Sequence, residues 1–233
     1  MILEKIEKEI KRHSASSNLI RREKENFRNG ARWLGLRTPI TRKIATESFQ
    51  SIRSYPKNEI LNLCEELLEE GYYEHKIIAF NWAHRLKKNY EPKDFQVFSR
   101  WVEKYIVDWD DCDDFCTHAL GEFLLQYPEF LPKVKRWTKS SEWQRRRVAA
   151  VSLIYPVRKN KFLKESLATC QALLKDDHDL VQKGYGWLLK EASRCNQDEV
   201  FRFVMKNRSR MPRVALRYAV EKMPHQFRKT AMT

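Results

Sequence analysis

The chain has 233 residues, is 42% hydrophobic and 12% aromatic, and carries 45 Lys and Arg against 31 Asp and Glu, a net charge of +14. That hydrophobic share is too high for a disordered chain and sufficient for a core, and no apolar run approaches the ~18 residues of a membrane span. The cationic excess favours polyanionic partners, nucleic acid before an anionic membrane surface.

Along the chain, helix signals come first. The N-terminal stretch Met1–Lys11 is charged from Glu4 onward, which reads against a secretory signal. With Cys64, Cys112, Cys116, Cys170 and Cys195 scattered and odd in number, the expectation is a cytoplasmic protein with reduced, mostly buried thiols. Thr38-Pro39 reads as an N-cap followed by proline at the first helical position, and Pro56 and Pro92 open helices in the same way. Asp108 reads as a further N-cap, which puts Asp110 and Asp111 in a first turn, where the helix dipole favours acids. Ser141-Glu-Trp-Gln144 and Asn196-Gln-Asp-Glu199 read as capping boxes. Glycine is scarce, and Lys, Glu, Leu, Arg and Ala dominate long stretches, so the chain is expected to be all-α.

These signals return roughly every 15 to 20 residues, the length of a helix plus a turn, and so predict stacked helical hairpins. Five segments align without gaps, starting at Tyr73, Asp110, Trp143, Leu180 and Arg210. The intervals of 37, 33, 37 and 30 residues sit near those of HEAT-like repeats. Six places into the segments the residues are mostly small or apolar: Ala79, Phe115 or Cys116, Ala149, Gly186, and Ala215 or Leu216. Three places in stand Lys76, Asp113, Arg146, Lys183 and Arg213. Equivalent positions of stacked repeats form a stripe along one face, so this column predicts a cationic stripe suited to a phosphate backbone. Arg145, Arg147, Arg158 and Lys159 would deepen its field. The bland alternative is that each cation decorates a solvated helix face. One member breaks the pattern. Asp113 places a carboxylate where the phosphates' partners would stand.

Trp109 and Asp113 are four residues apart and share a helix face. Gly184 and Gly186 sit inside a helical pattern beside Trp187, which points to close packing there by a neighbouring helix or a ligand backbone. Core packing is the ordinary fate of Trp109, Trp187 and the five other tryptophans. Cys112, Cys116 and His118 have a faint metal-like spacing but lack a fourth ligand, so buried thiols are expected and no metal site. His75, His84 and His178 read as isolated surface residues. No Gly-rich phosphate loop, HExxH or nucleophile elbow occurs.

The ordered set Trp109-Asp-Asp-Cys-Asp113, Trp143-Gln-Arg-Arg-Arg147 and Lys183-Gly-Tyr-Gly-Trp187 resembles the AlkD-like DNA alkylation-repair glycosylases, which are built from HEAT-like repeats. Trp33–Ile44 and Met211–Lys222 fit that family's first and last segments, and the similarity spans residues 27 to 224. The resemblance implies a right-handed α-solenoid, here one domain over residues 1–233, with a basic concave cleft. It implies removal of cationic alkylated purines, of the 3-methyladenine or 7-methylguanine type, from duplex DNA by a monomer without cofactor. It places Asp113 at the lesion's deoxyribose beside Trp109 and Trp187. It also assigns a DNA-binding arginine to Arg146, with Arg145 and Arg147 one place away. Arg37 stands where the family would carry a glutamine or another polar residue. The remaining expected DNA contacts are Lys76, Lys183, Arg213, Arg37 and Arg158. Two other readings stay open: a non-catalytic repeat protein binding distorted or branched DNA, and a protein-interaction scaffold.

Overall fold

A computed structural model describes residues 2–14 and 32–233; residues 27–31, the first of the stretch carrying the resemblance, lie outside them. Among the described residues the chain is helical throughout, and the one β-type pairing is an isolated bridge between Arg32 and Tyr72. No helix among them is long and apolar enough to cross a membrane. Helix α1 (Ile2–His13) buries Ile6 and Ile10, four apart on one face, against α2 (Thr38–Ile52).

From α2 onward two rows form. The inner row runs α2, α4 (Tyr73–Arg85), α6 (Trp109–Phe115) with α7 (Gly121–Gln126), α9 (Trp143–Val151), α12 (Asp179–Ala192) and α14 (Arg213–Val220), each packed on the next. The outer row is α3 (Lys57–Glu70), α5 (Asp94–Lys104), α8 (Leu131–Arg136), α11 (Leu163–Ala172) and α13 (Gln197–Asn207). The short α10 (Ile154–Arg158) follows α9, and α15 (His225–Met232) closes the chain.

The sequence accounts for these choices. In α3, Ile60, Leu61, Cys64, Leu67 and Leu68 make one apolar stripe, and Gly71 ends the helix at φ 74° with its N–H bonded to Leu68 O. Between α4, α5 and α6–α7 the core is aromatic: Phe80 lies 4.9 Å from Phe115, and Phe98 5.5 Å from both Phe115 and Phe123. Trp82 and Trp101 are fully buried there, the core role expected of most tryptophans. Across the outer row Arg100 pairs with Glu65 at 2.6 Å and Lys104 with Glu69 at 2.9 Å; exposed pairs of this kind contribute about 0 to 1 kcal/mol each.

The small strip read from the alignment is buried throughout, at Ala79, Phe115, Cys116, Ala149, Gly186, Ala215 and Leu216. Gly186 shows why. A Cβ there would lie 2.7 Å from Tyr218 Cβ and 2.8 Å from Ala215 O, so α12 and α14 meet backbone to backbone. Several caps differ from expectation. Arg37, not Thr38, is the N-cap of α2, and Pro39 falls within its first turn. The Ser141 capping box does not form, because Ser140 Oγ instead accepts the Glu142 N–H at 3.2 Å and Glu142 becomes the N-cap. Asn196 caps α13 by position without a side-chain bond.

Candidate functional site

Helix α6 begins where the aspartates cluster, and each acid has a separate fate. Asp108 accepts the Trp109 N–H at 2.7 Å. Asp111 accepts the Val107 and Asp108 N–H groups at 3.1 and 3.2 Å, completing a capping box, and takes Lys76 Nζ at 2.6 Å. Asp110 is buried, with its Oδ1 2.9 Å from the Asp111 N–H. Burial first, and the charge of Asp111 second, push its carboxyl up to about 7. Asp114 pairs with Arg42 at 2.6 Å.

That leaves Asp113. It opens into a cleft of about 460 Å³ whose other walls are Trp109, Arg147, Leu180, Lys183, Trp187, Lys190 and Tyr218. Arg147 grips both of its oxygens: Nε to Oδ1 at 3.1 Å, Nη2 to Oδ1 at 2.7 Å and Nη2 to Oδ2 at 2.9 Å. The same guanidinium also donates from Nη1 to the Leu180 carbonyl and is only 4% exposed. Burial raises the Asp113 carboxyl above its usual range, while the Arg147 charge and hydrogen bonds oppose that rise. Gly184 gives the arrangement room, since a Cβ there would stand a tight 3.3 Å from Arg147 Cγ and Nη1. Of the two glycines in Lys183-Gly-Tyr-Gly-Trp187, one admits a neighbouring helix and the other this arginine.

Trp109 is 40% exposed, unusual for a residue of its size, and its indole borders the cleft. Trp187 faces it from α12, with Nε1 donating to Glu191 at 3.2 Å and Arg158 5.7 Å over its ring. Arg158 also pairs with Glu191 at 3.0 Å, so it stands at the rim. Lys183 pairs with Asp179 at 2.9 Å and Lys190 with Glu221 at 3.1 Å, both leaving their stems along the cleft wall.

The cationic column needs correction. Lys76 does not reach the cleft; it is 7% exposed and consumed by Asp111. Arg146 also turns away, forked onto Asp176 at 2.6 and 3.1 Å and bonded to the Ser140 and Ser141 carbonyls. Arg147 is the cleft arginine of the three. Arg145 reaches Glu103 on α5 at 2.9 Å, on the outer row. Arg213 is exposed and donates to the Met232 carbonyl, outside the cleft, and Arg37, exposed at the N-cap of α2, does not line the cleft either. Lys190, Leu180 and Tyr218 escaped the sequence reading. Lys190 was within reach of it, because Leu180, Lys183, Trp187 and Lys190 follow at helical spacing on one face.

The histidines and thiols resolve too. His75 is buried rather than superficial, with Nε2 2.6 Å from a Glu7 carboxylate oxygen. Burial first, then Lys87 and His118, hold His84 down to about 4. His178 stacks on Trp143 at 4.5 Å. Cys112 and Cys116 are fully buried with their sulfurs 3.9 Å apart, and His118 Nδ1 lies 2.8 Å from Asp114 O. Cys195 alone of the five cysteines is exposed.

Residues 6–223 match the family described as "DNA alkylation repair enzyme". No curated protein sequence matches the chain. Several solved structures share the fold, three of them as follows. One is described as a predicted DNA alkylation repair enzyme from Enterococcus faecalis, with TM-score 0.80 and 14% identity, covering 91% of this chain and 98% of its own. A second is AlkD2 from Streptococcus mutans, at 0.59 and 20%, covering 89% and 99%. The third is smu.31 from Streptococcus mutans UA159, at 0.54 and 20%, covering 84% and 95%.

Proposed function

The chain belongs to the DNA alkylation repair enzyme family, and from the cleft it carries we propose that it is a DNA glycosylase excising cationic alkylated purines from duplex DNA. The substrates would be of the 3-methyladenine and 7-methylguanine type, and the bond hydrolysed the N-glycosidic one. The observation that carries this reading is that one carboxylate, Asp113, shares a cleft with two indoles, Trp109 and Trp187.

A purine alkylated at N3 or N7 already bears positive charge, which weakens its glycosidic bond. As the bond breaks, the charge moves to the sugar as an oxocarbenium ion. A fixed carboxylate stabilises that ion by Coulomb attraction, and indole faces stabilise it by cation–π attraction. Arg147 opposes the rise that burial imposes on the Asp113 carboxyl and holds it oriented, so no reorganisation is needed when the charge appears. Asp113 also serves to align the attacking water. Lys183 and Lys190 neutralise backbone phosphates and carry no sequence information. The leaving base is activated by its own charge, so we expect no metal or organic cofactor.

The test is release of 7-methylguanine and 3-methyladenine from alkylated duplex. Asp113→Asn should lower release about 10² to 10³-fold, the usual loss for one preorganised electrostatic partner, while duplex affinity persists. Release by that variant at the wild-type rate removes Asp113 from the mechanism. A specific observation favours one other reading, since Arg147 already occupies both Asp113 oxygens. Wild-type protein that binds duplex yet releases neither base would be a non-catalytic binder of distorted or branched DNA. The absence of any salt-sensitive DNA affinity would point instead to a scaffold.

A further inference from the structure

A second cationic recess lies on the outer row. It measures about 370 Å³ and is walled by Phe95 and Ser99 of α5, by Lys133, Arg136, Trp137, Lys139 and Ser140 after and within α8, and by Arg145. It is separate from the cleft. Arg145 and Arg147 are two residues apart on α9, hence about 200° apart around the helix. Arg147 points to Asp113, and Arg145 points to Glu103 on the outer helix.

The chemistry of this recess is uneven in an informative way. Lys133, Arg136 and Lys139 are exposed, and no described acid pairs with any of them. Glu103, on Arg145, is the one described acid that pairs with a cation of the wall. Behind the cations is an aromatic floor. Phe95 stacks on Trp137 at 6.0 Å with 8° between the planes and on Phe130 at 4.5 Å, and Lys133 Nζ stands 4.7 Å over Phe130. Trp137 is only half-buried, so its indole keeps a face toward the recess.

We propose that this recess binds a single-stranded nucleic-acid segment, with phosphates on Lys133, Arg136 and Lys139 and one base stacked on Trp137. Unneutralised cations around a stacking platform are what sequence-tolerant single-strand binding requires. The recess is of nucleotide size and too small for the width of a duplex. The site does not depend on the excision chemistry, since it shares no residue with the cleft.

The experiment uses the full chain, an oligo-thymidine probe read by anisotropy, and tryptophan fluorescence. The triple variant Lys133→Ala, Arg136→Ala, Lys139→Ala changes only exposed side chains, and an unaltered circular dichroism melt confirms its fold. It should weaken oligonucleotide binding tenfold or more and flatten the salt slope by about two units, at roughly 0.7 per phosphate lost. Trp137→Phe should abolish the fluorescence change on oligonucleotide addition while leaving part of the affinity. Base release from a short alkylated duplex should stay within twofold of wild type in both variants. Loss of that release together with oligonucleotide binding would overturn the separation of the two sites. Unchanged oligonucleotide binding by the triple variant would overturn the proposal, as would fluorescence that responds to inorganic phosphate but not to the oligonucleotide.

Discussion

Asp113 and Arg147 are each other's principal partner in the cleft, Arg147 buried and Asp113 half-buried. Breaking a buried pair by removing one member leaves an uncompensated charge, which commonly costs about 3 to 5 kcal/mol. Arg147→Ala should therefore lower stability by that order in urea unfolding. Asp113→Asn should cost a similar amount, because it leaves the more deeply buried guanidinium without its counter-charge even though the amide oxygen still accepts from it. Arg147→Lys should not rescue, since an ammonium cannot fork onto both oxygens and the Leu180 carbonyl at once. Asp110 supplies a second prediction. Its carboxyl is raised to about 7 from 3.8, so between those values the folded state binds the extra proton and stability falls as pH rises. Asp110→Asn keeps the acceptor for the Asp111 N–H and removes the charge. The variant should gain stability over wild type as pH rises from about 4 to 7, by at most about 4 kcal/mol, and the gain should level off above 7. A constant difference across that range would assign the effect to packing. At this scale the sequence told which acid was anomalous but not which arginine met it. Neighbouring helix residues differ by 100° in direction, and the acid that captures Arg146, Asp176, is 30 residues away in the chain.

Individual helices were more legible than their ends. The apolar stripe of α3, the small strip of the inner row and the closeness implied by Gly186 follow from periodicity, which packing reinforces, whereas α4 is buried almost all round, Glu74, His75 and Lys76 included. Caps depend on competition between adjacent polar groups, as when Ser140 takes the Glu142 N–H and pre-empts the expected box at Ser141. Nor does the pattern announce the π-helical turn at Cys116–Leu120 just after the site helix. Helix α12 gives the prediction proper to elements. Gly186→Ala gains about 1 kcal/mol in helix propensity, yet its Cβ meets backbone of α14 at 2.8 Å and must push the helices apart. The net should be a loss of about 1 to 2 kcal/mol in urea unfolding. Because Trp187 is the next residue on α12, base release should fall further than that loss of stability alone explains. A variant as stable and as active as wild type would mean that α14 yields freely.

Over the whole molecule, the net charge was plain in the sequence, but its placement was not. Lys76 and Arg146 are spent on Asp111 and Asp176, and Arg145 is turned to the outer row, so the expected stripe shrinks to a few cations at the cleft. What remains is Lys183 and Lys190 on one face of α12, with Arg158 at the rim. Their acidic partners, Asp179 and Glu221, are about half exposed, so phosphate can displace them at little cost. Duplex affinity should thus fall steeply with salt, with each phosphate contact contributing about 0.9 to the slope of log affinity against log salt. The double variant Lys183→Ala, Lys190→Ala should lose close to two units of that slope. At saturating DNA its base release should stay near wild type, because the proposed function gives these lysines the backbone and Asp113 the sugar. A variant whose slope is unchanged, or whose release collapses even at saturation, would place the lysines in a different role and the duplex on another surface.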